Sequence, residues 1–185
     1  MQTRLTMLGV TLLELIIVIG LTAIFLIAAI PAFADLIDRN RLKAASETLY
    51  ADLQFAKLEA IKRNKNIRVS FTPGNGGATW CYGMKENTGC DCNADSGSNV
   101  CHIDNVIKVT RSTAFPGVSI LTSISAPGDR FTFESIRGVT DGTFGKVILT
   151  SAGQKETRVI VSRMGRIRLC SHSGETNVAG YSTSC

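Results

Sequence analysis

The hydrophobic pattern divides the chain into three stretches. From Val10 to Ile30 the residues are apolar or small with one exception, Glu14. Such a run of 21 residues is long enough to cross a bilayer core of ~30 Å as a helix. The spacing then changes. Leu42, Ala45, Leu49, Leu53, Ala56 and Ala60 recur at intervals of three and four, one apolar stripe at helical period. Arg39, Arg41, Lys43, Glu47, Asp52, Lys57, Glu59, Lys62 and Arg63 sit between them as a solvated face. The stripe is read as core that lays this half of the helix onto a folded head. Pro31 falls near the junction, where a proline would bend a helix. Asn64 to Asn66 end the helical pattern.

From Ile67 onward the period shortens to that of strands. IRVSF, ATWCYGM, VIKVT, VSILT, RFTFES, KVILT, TRVIVS and RIRLC are separated by Gly, Pro, Asn and Asp breaks such as PGNGG, FPG, APGD and TDGTFG. The predicted fold is α+β: a long N-terminal helix followed by an antiparallel β-sheet head. The pattern gives 10–38 as an apolar half-helix, 39–66 as an amphipathic half-helix and 67–185 as the head, one core-forming domain beyond the helix.

Glu14 is the only charge between Val10 and Ile30. A carboxylate at membrane depth is expensive, roughly 2.5–3.5 kcal/mol on insertion scales, and normally has a partner or a function. Nothing else in the run can pair with it. The residues around it, MQTRLTMLG followed by Val10, Thr11, Leu12, Leu13 and Glu14, place a basic leader ending in Gly9 ahead of the apolar stretch. This resembles the class III, type IV prepilin signal, which a prepilin peptidase cuts after the glycine. Val10 stands where that family usually has Phe. The resemblance implies that 1–9 is a prepilin leader peptide and 10–38 the transmembrane or fibre half of the helix, with cleavage between Gly9 and Val10 leaving 176 of the 185 residues. It also implies N-methylation at Val10 and an intermolecular partner for Glu14: the new N-terminal amine of a neighbouring subunit. A buried carboxylate beside an ammonium of another chain sets register, whereas an unpaired one is penalised.

All six cysteines, Cys81, Cys90, Cys92, Cys101, Cys170 and Cys185, lie in the head. An even number in an exported head supports disulfides. The spacing C-x8-C-x-C-x8-C lacks the usual C-x2-4-C geometry of structural zinc, and joining Cys90 to Cys92 would strain a bridge. Two patterns stay open: Cys81 with Cys90 and Cys92 with Cys101, or Cys81 with Cys92 and Cys90 with Cys101. Cys170 and Cys185 then pair by elimination. No metal or cofactor is expected.

The net charge is +5 and the pI near 9.0, with the excess uneven. Residues 150–185 carry five Lys and Arg against two Asp and Glu, whereas residues 71–149 are near neutral. An anionic partner is implied. In TRVIVSRMGRIRLC, Arg163, Met164 and Gly165 surround a predicted hairpin turn, and alternation puts Arg166 and Arg168 on one face. Their stems would be ~6.6 Å apart, near the ~6.8 Å of two steps along one DNA strand. Arginine suits this because its planar fork takes phosphate bidentately. Arg163 and Arg158 lie within reach, with Lys155 nearby. The bland alternative is a ribbon that carries Arg for solubility and edge protection.

The signal, the helix and the many-stranded head together resemble the FimT/GspH family of type IV minor pilins and type II secretion pseudopilins. Gly165, Arg166, Ile167 and Arg168 match the GRxR motif of FimT-like minor pilins, implicated in DNA uptake during natural transformation. The resemblance implies a minor pilin that binds DNA backbone through Arg166 and Arg168, helped by Arg163, Arg158, Lys155 and the turn at Gly165. Its partners would be DNA, other pilins in a fibre, the prepilin peptidase and the inner membrane. It would sit there as a single-pass protein with a periplasmic head before entering a surface pilus. The alternative is a GspH-like pseudopilin with a structural role and no DNA binding.

Tyr181 is the only aromatic after Phe144, so base stacking is not evident in the sequence. Neither His102 nor His172 makes a Cys–His nucleophile if the thiols are oxidised. No P-loop, HExxH or GxSxG is present, and no enzymatic activity is expected.

Overall fold

The structure is a computed structural model that describes residues 11–125, 128–172 and 177–181. Helix α1 spans Leu12–Arg63 and is followed by ten strands. The chain divides into two units after Ile37.

In the first unit the helix buries almost nothing: Leu12, Ile16, Ile19, Ile24, Phe25 and Ile30 are all exposed. Water does not hold such a surface in place, so this segment needs an apolar environment or other chains. Among the described residues no helix is long and apolar enough to cross a membrane; Val10, where the predicted span begins, lies outside them. The helical assignment continues through position 31.

The second unit begins at Asp38. The apolar stripe is buried as its spacing requires, with Leu42, Leu49, Leu53, Ala56 and Ala60 fully inaccessible. The helix ends in a Schellman motif. Asn64 takes φ 51°, while Lys65 N–H reaches Ala60 O at 3.2 Å and Asn64 N–H reaches Ile61 O at 3.3 Å. Asn is one of the residues that enter this left-handed conformation readily, which is why it stops the helix here.

The strands are β1 (Ile67–Gly74), β2 (Thr79–Glu86), β3 (His102–Ile103), β4 (Val106–Ile107), β5 (Val109–Arg111), β6 (Val118–Ile124), β7 (Arg130–Phe133), β8 (Gly145–Ser151), β9 (Glu156–Val161) and β10 (Ile167–Ser171). They form two four-stranded sheets, ordered β5-β2-β1-β7 and β10-β9-β8-β6, and a small β3-β4 hairpin. The pairings are antiparallel. The helix stripe packs against inward side chains of both large sheets, among them Val69, Phe131 and Phe133 from the first and Ile120, Leu149 and Val159 from the second. The predicted VIKVT strand is split at Lys108 into β4 and β5. Lys108 is the changeover between the two pairings and stays in register with both: its N–H donates to Cys101 O and its carbonyl accepts from Met84 N–H, both at 3.0 Å.

Two disulfides, Cys81–Cys92 and Cys90–Cys101, choose the crossed pattern of the two left open. They tie the polar loop back onto β2, where Cys81, Cys92 and Cys101 form a small buried cluster. Cys170 is also disulfide-bonded; its predicted partner, Cys185, lies outside the described residues, as do Gly9 and Val10.

Candidate nucleic-acid interface

Strand β10 is an edge of the second sheet, and its hairpin with β9 carries the predicted arginines. The alternation along β9 is regular: Thr157, Val159 and Val161 face the core, while Glu156, Arg158 and Ile160 lie on the outer side. Opposite them, Ile167 pairs with Val161 and Arg168 with Ile160. Burial of Ile167 therefore forces Arg168 outward, and Arg166 and Arg168 are both exposed. Neither has a carboxylate partner among the described residues.

The connecting turn is a short loop closed by two backbone bonds. Gly165 N–H donates to Ser162 O at 2.9 Å, and Ser162 N–H to Arg166 O at 3.0 Å. Gly165 sits at φ 69°, the left-handed position that closes such a loop. It is also packed: a Cβ there would collide with the carbonyl oxygen of Gly138. The loop is pinned from two further directions. Thr140 Oγ1 donates to Arg163 O at 2.8 Å, and Lys57 Nζ donates to Gly165 O at 3.0 Å. The arginines are thus presented from a turn fastened to the helix and to the 134–140 loop.

The other predicted helpers are placed differently. Arg158 is occupied: its Nε pairs with Glu156 Oε1 at 2.5 Å, and its Nη2 lies 2.6 Å from His172 Nδ1. Its charge is largely spent within the fold. Lys155 lies at the opposite end of β9 from the Arg163 turn, ~20 Å along the strand, and it has interactions of its own. The structure therefore does not gather all five cations into one cluster. Arg163 does lie at the turn, its guanidinium carbon 4.4 Å from the Phe144 ring centroid.

Cations that strand reasoning missed are brought in by the fold. Lys146 on β8 pairs with Ile160, which pairs with Arg168 on its other side, so the two cations share one cross-strand row. Exposed Arg137 precedes the Gly138 that touches Gly165. Register could have revealed Lys146, but only by pairing β8 with β9 correctly; nothing local marks Arg137. On the free side of β10, a depression of ≈ 550 Å³ is lined by Glu47, Tyr50, Arg166, Arg168 and Tyr181 among others. There Tyr181 OH donates to Glu47 Oε1 at 2.8 Å, and burial pushes the Tyr181 hydroxyl pKa up.

The four sulfurs of the C-x8-C-x-C-x8-C run are consumed in disulfides, and no group of three metal-binding side chains occurs among the described residues.

The model of the family described as type II transport protein GspH matches residues 45–165. The chain belongs to this family. The pilin-like protein PilA1 of Thermus thermophilus is 26% identical over 162 residues, covering 87% of this chain and 97% of that one. Among solved structures, the minor pseudopilin EpsH from the type 2 secretion system of Vibrio cholerae aligns at TM-score 0.50 and 16% identity, over 72% of this chain and 99% of EpsH. The type IV minor pilin FimU of Pseudomonas aeruginosa aligns at TM-score 0.48 and 19% identity, over 72% of this chain and 91% of FimU. The GspH-family chain thus has the helix-plus-antiparallel-sheet fold of pilin-like proteins.

Proposed function

We propose that this GspH-family protein is a minor type IV pilin that binds DNA through its basic hairpin and supports DNA uptake and pilus assembly. Arg166 and Arg168 would be the principal phosphate ligands, with Arg163 and Lys146 beside them. The observation that carries this reading is an exposed Arg166–Arg168 pair, without carboxylate partners among the described residues, on a turn fastened at both Arg163 O and Gly165 O. Fixed cations on a rigid ribbon suit backbone contact with little sequence preference, and such binding weakens steeply with salt.

In this reading a prepilin peptidase cuts between Gly9 and Val10, and Val10 is then methylated. The apolar half of α1 holds the subunit in the inner membrane with its head in the periplasm until it joins a fibre. Glu14 meets the amine of a neighbouring subunit during assembly. The protein acts by binding and assembly, without catalysis. The exposed apolar side chains from Leu12 to Phe33 support a segment that is completed by lipid or by other subunits.

A structural pseudopilin of a type II secretion system is the second reading, favoured by the GspH family model. DNA binding separates the two. The full chain, purified in detergent, is titrated into fluorescent DNA at two salt concentrations, beside an Arg166→Ala, Arg168→Ala variant checked for folding. Salt-sensitive binding that falls in the variant supports the pilin reading. A wild-type chain that fails to bind at low salt supports the pseudopilin instead.

A further inference from the structure

Phe144 is a large apolar side chain left 39% exposed on the outer side of the second sheet. It is held firmly: its N–H donates to Ser125 Oγ at 2.9 Å, and its carbonyl accepts from Ser125 N–H at 2.8 Å. Arg163 lies across its ring, and the Arg163 carbonyl is in turn clamped by Thr140. Around this pair the surface is hollowed into a depression of ≈ 540 Å³ lined by Ser123, Phe144, Lys146, Ile160, Ser162 and Arg163 among others. Its floor is apolar, Phe144 and Ile160. Its rim carries two cations, Lys146 and Arg163, and two hydroxyls. The cross-strand row continues the positive charge from Lys146 past Ile160 to Arg168.

A flat apolar floor beside cations and hydroxyls fits one chemistry well: a nucleobase attached to its phosphodiester. The base face would lie on the guanidinium plane or ring edge of the Arg163–Phe144 stack, its polar edge near Ser123 and Ser162, and its phosphates toward Lys146 and Arg168. A paired base inside a duplex cannot enter, because its faces are already stacked. The Tyr50–Tyr181 depression on the free side of β10 is less suited, since the Glu47 carboxylate that accepts from Tyr181 would repel the backbone.

We infer that the Phe144–Arg163 stack is a subsite for an unpaired DNA base, so that single-stranded or frayed ends bind in preference to blunt duplex. This rests on the proposed DNA binding and sharpens it. The test is fluorescence anisotropy of the full chain in detergent with three probes: a short mixed-sequence single strand, its blunt duplex, and an abasic strand of the same length and charge. The intact single strand should bind at least about fivefold more tightly than the abasic one, as a single base–aromatic stack allows. Phe144→Leu, which keeps apolar bulk, and Arg163→Lys, which keeps charge, should each bring the two together. Arg166→Ala with Arg168→Ala should weaken all three probes alike. Equal binding of intact and abasic strands by the wild type, or a preference that survives Phe144→Leu, overturns the base subsite while leaving phosphate binding standing. Absence of binding to every probe at low salt overturns both.

Discussion

Two basic regions of this head are built in opposite ways. At the end of α1, each cation faces carboxylates: Arg63 meets Glu59, Glu86 at 3.5 Å and Asp104 at 3.4 Å, and Lys65 meets Glu86 at 2.6 Å. At the β9–β10 hairpin, Arg166 and Arg168 project from an edge strand with no carboxylate partner among the described residues. Charges of the first kind are spent on joining the helix end to β2 and the β3–β4 hairpin. Those of the second kind meet no such counter-charge, and in the proposed reading their field is left for DNA phosphates. The contrast teaches that the abundance of Lys and Arg is a poor guide to a binding surface; what matters is whether the fold supplies counter-charges. Arg158 shows the distinction within one hairpin, since Glu156 neutralises it two residues away.

The sharpest way to break this contrast is to remove the two exposed arginines. Arg166→Ala with Arg168→Ala should lower DNA affinity by about tenfold or more and reduce the salt slope by about two, as loss of two phosphate contacts predicts; titrations across salt measure both. Gly165→Ala comes next. A methyl at φ 69° against the Gly138 carbonyl should cost more than about 2 kcal/mol, read as a drop of several degrees in Tm. Arg63→Ala should do the reverse of the first variant, lowering Tm while leaving DNA affinity unchanged.

Acidification tests the same helix end without mutation. The hydrogen bond from Arg63, with that from Lys62, holds the Glu59 carboxyl below its usual pKa against the opposing effect of burial. The unfolded chain therefore binds this proton more readily than the folded one. Glu59's contribution to stability is present above the ordinary glutamate value of about 4.3 and is lost as pH falls through its lower folded value. Denaturant melts from about pH 6 to about pH 3 should show that loss, and Glu59→Gln should flatten it. The smallest expected effect belongs to Arg158→Ala, which should change DNA affinity less than about twofold, since its charge is already paired.

Much of the architecture is legible in local pattern. The stripe from Leu42 to Ala60 needs only the helical period and the rule that apolar faces are buried, and both sheets are built from the strands that alternation marks. The helix stop at Asn64 follows from which residues tolerate a left-handed turn. The short β3 at His102–Ile103 escapes because two residues carry no period, and the break at Lys108 escapes because its hydrogen bonds are made to distant backbone. In the candidate site, the turn at Gly165 and the outward aim of Arg168 follow from strand alternation. The neutralisation of Arg158 is local in sequence yet invisible without side-chain geometry.

What the sequence by itself determined is periodic: where the helix turns from wholly apolar to amphipathic, where strands begin, and which side of β10 bears arginine. Each of these depends only on neighbours within a few positions. Tertiary structure alone decided which partners met across long separations. It chose Cys81–Cys92 over Cys81–Cys90, locked the hairpin turn with Thr140 and Lys57, set Lys146 in the row of Arg168, and laid Arg163 on Phe144. The physical reason is that such contacts form only once two sheets close on one helix, and no local preference encodes which distant side chains that closure brings together.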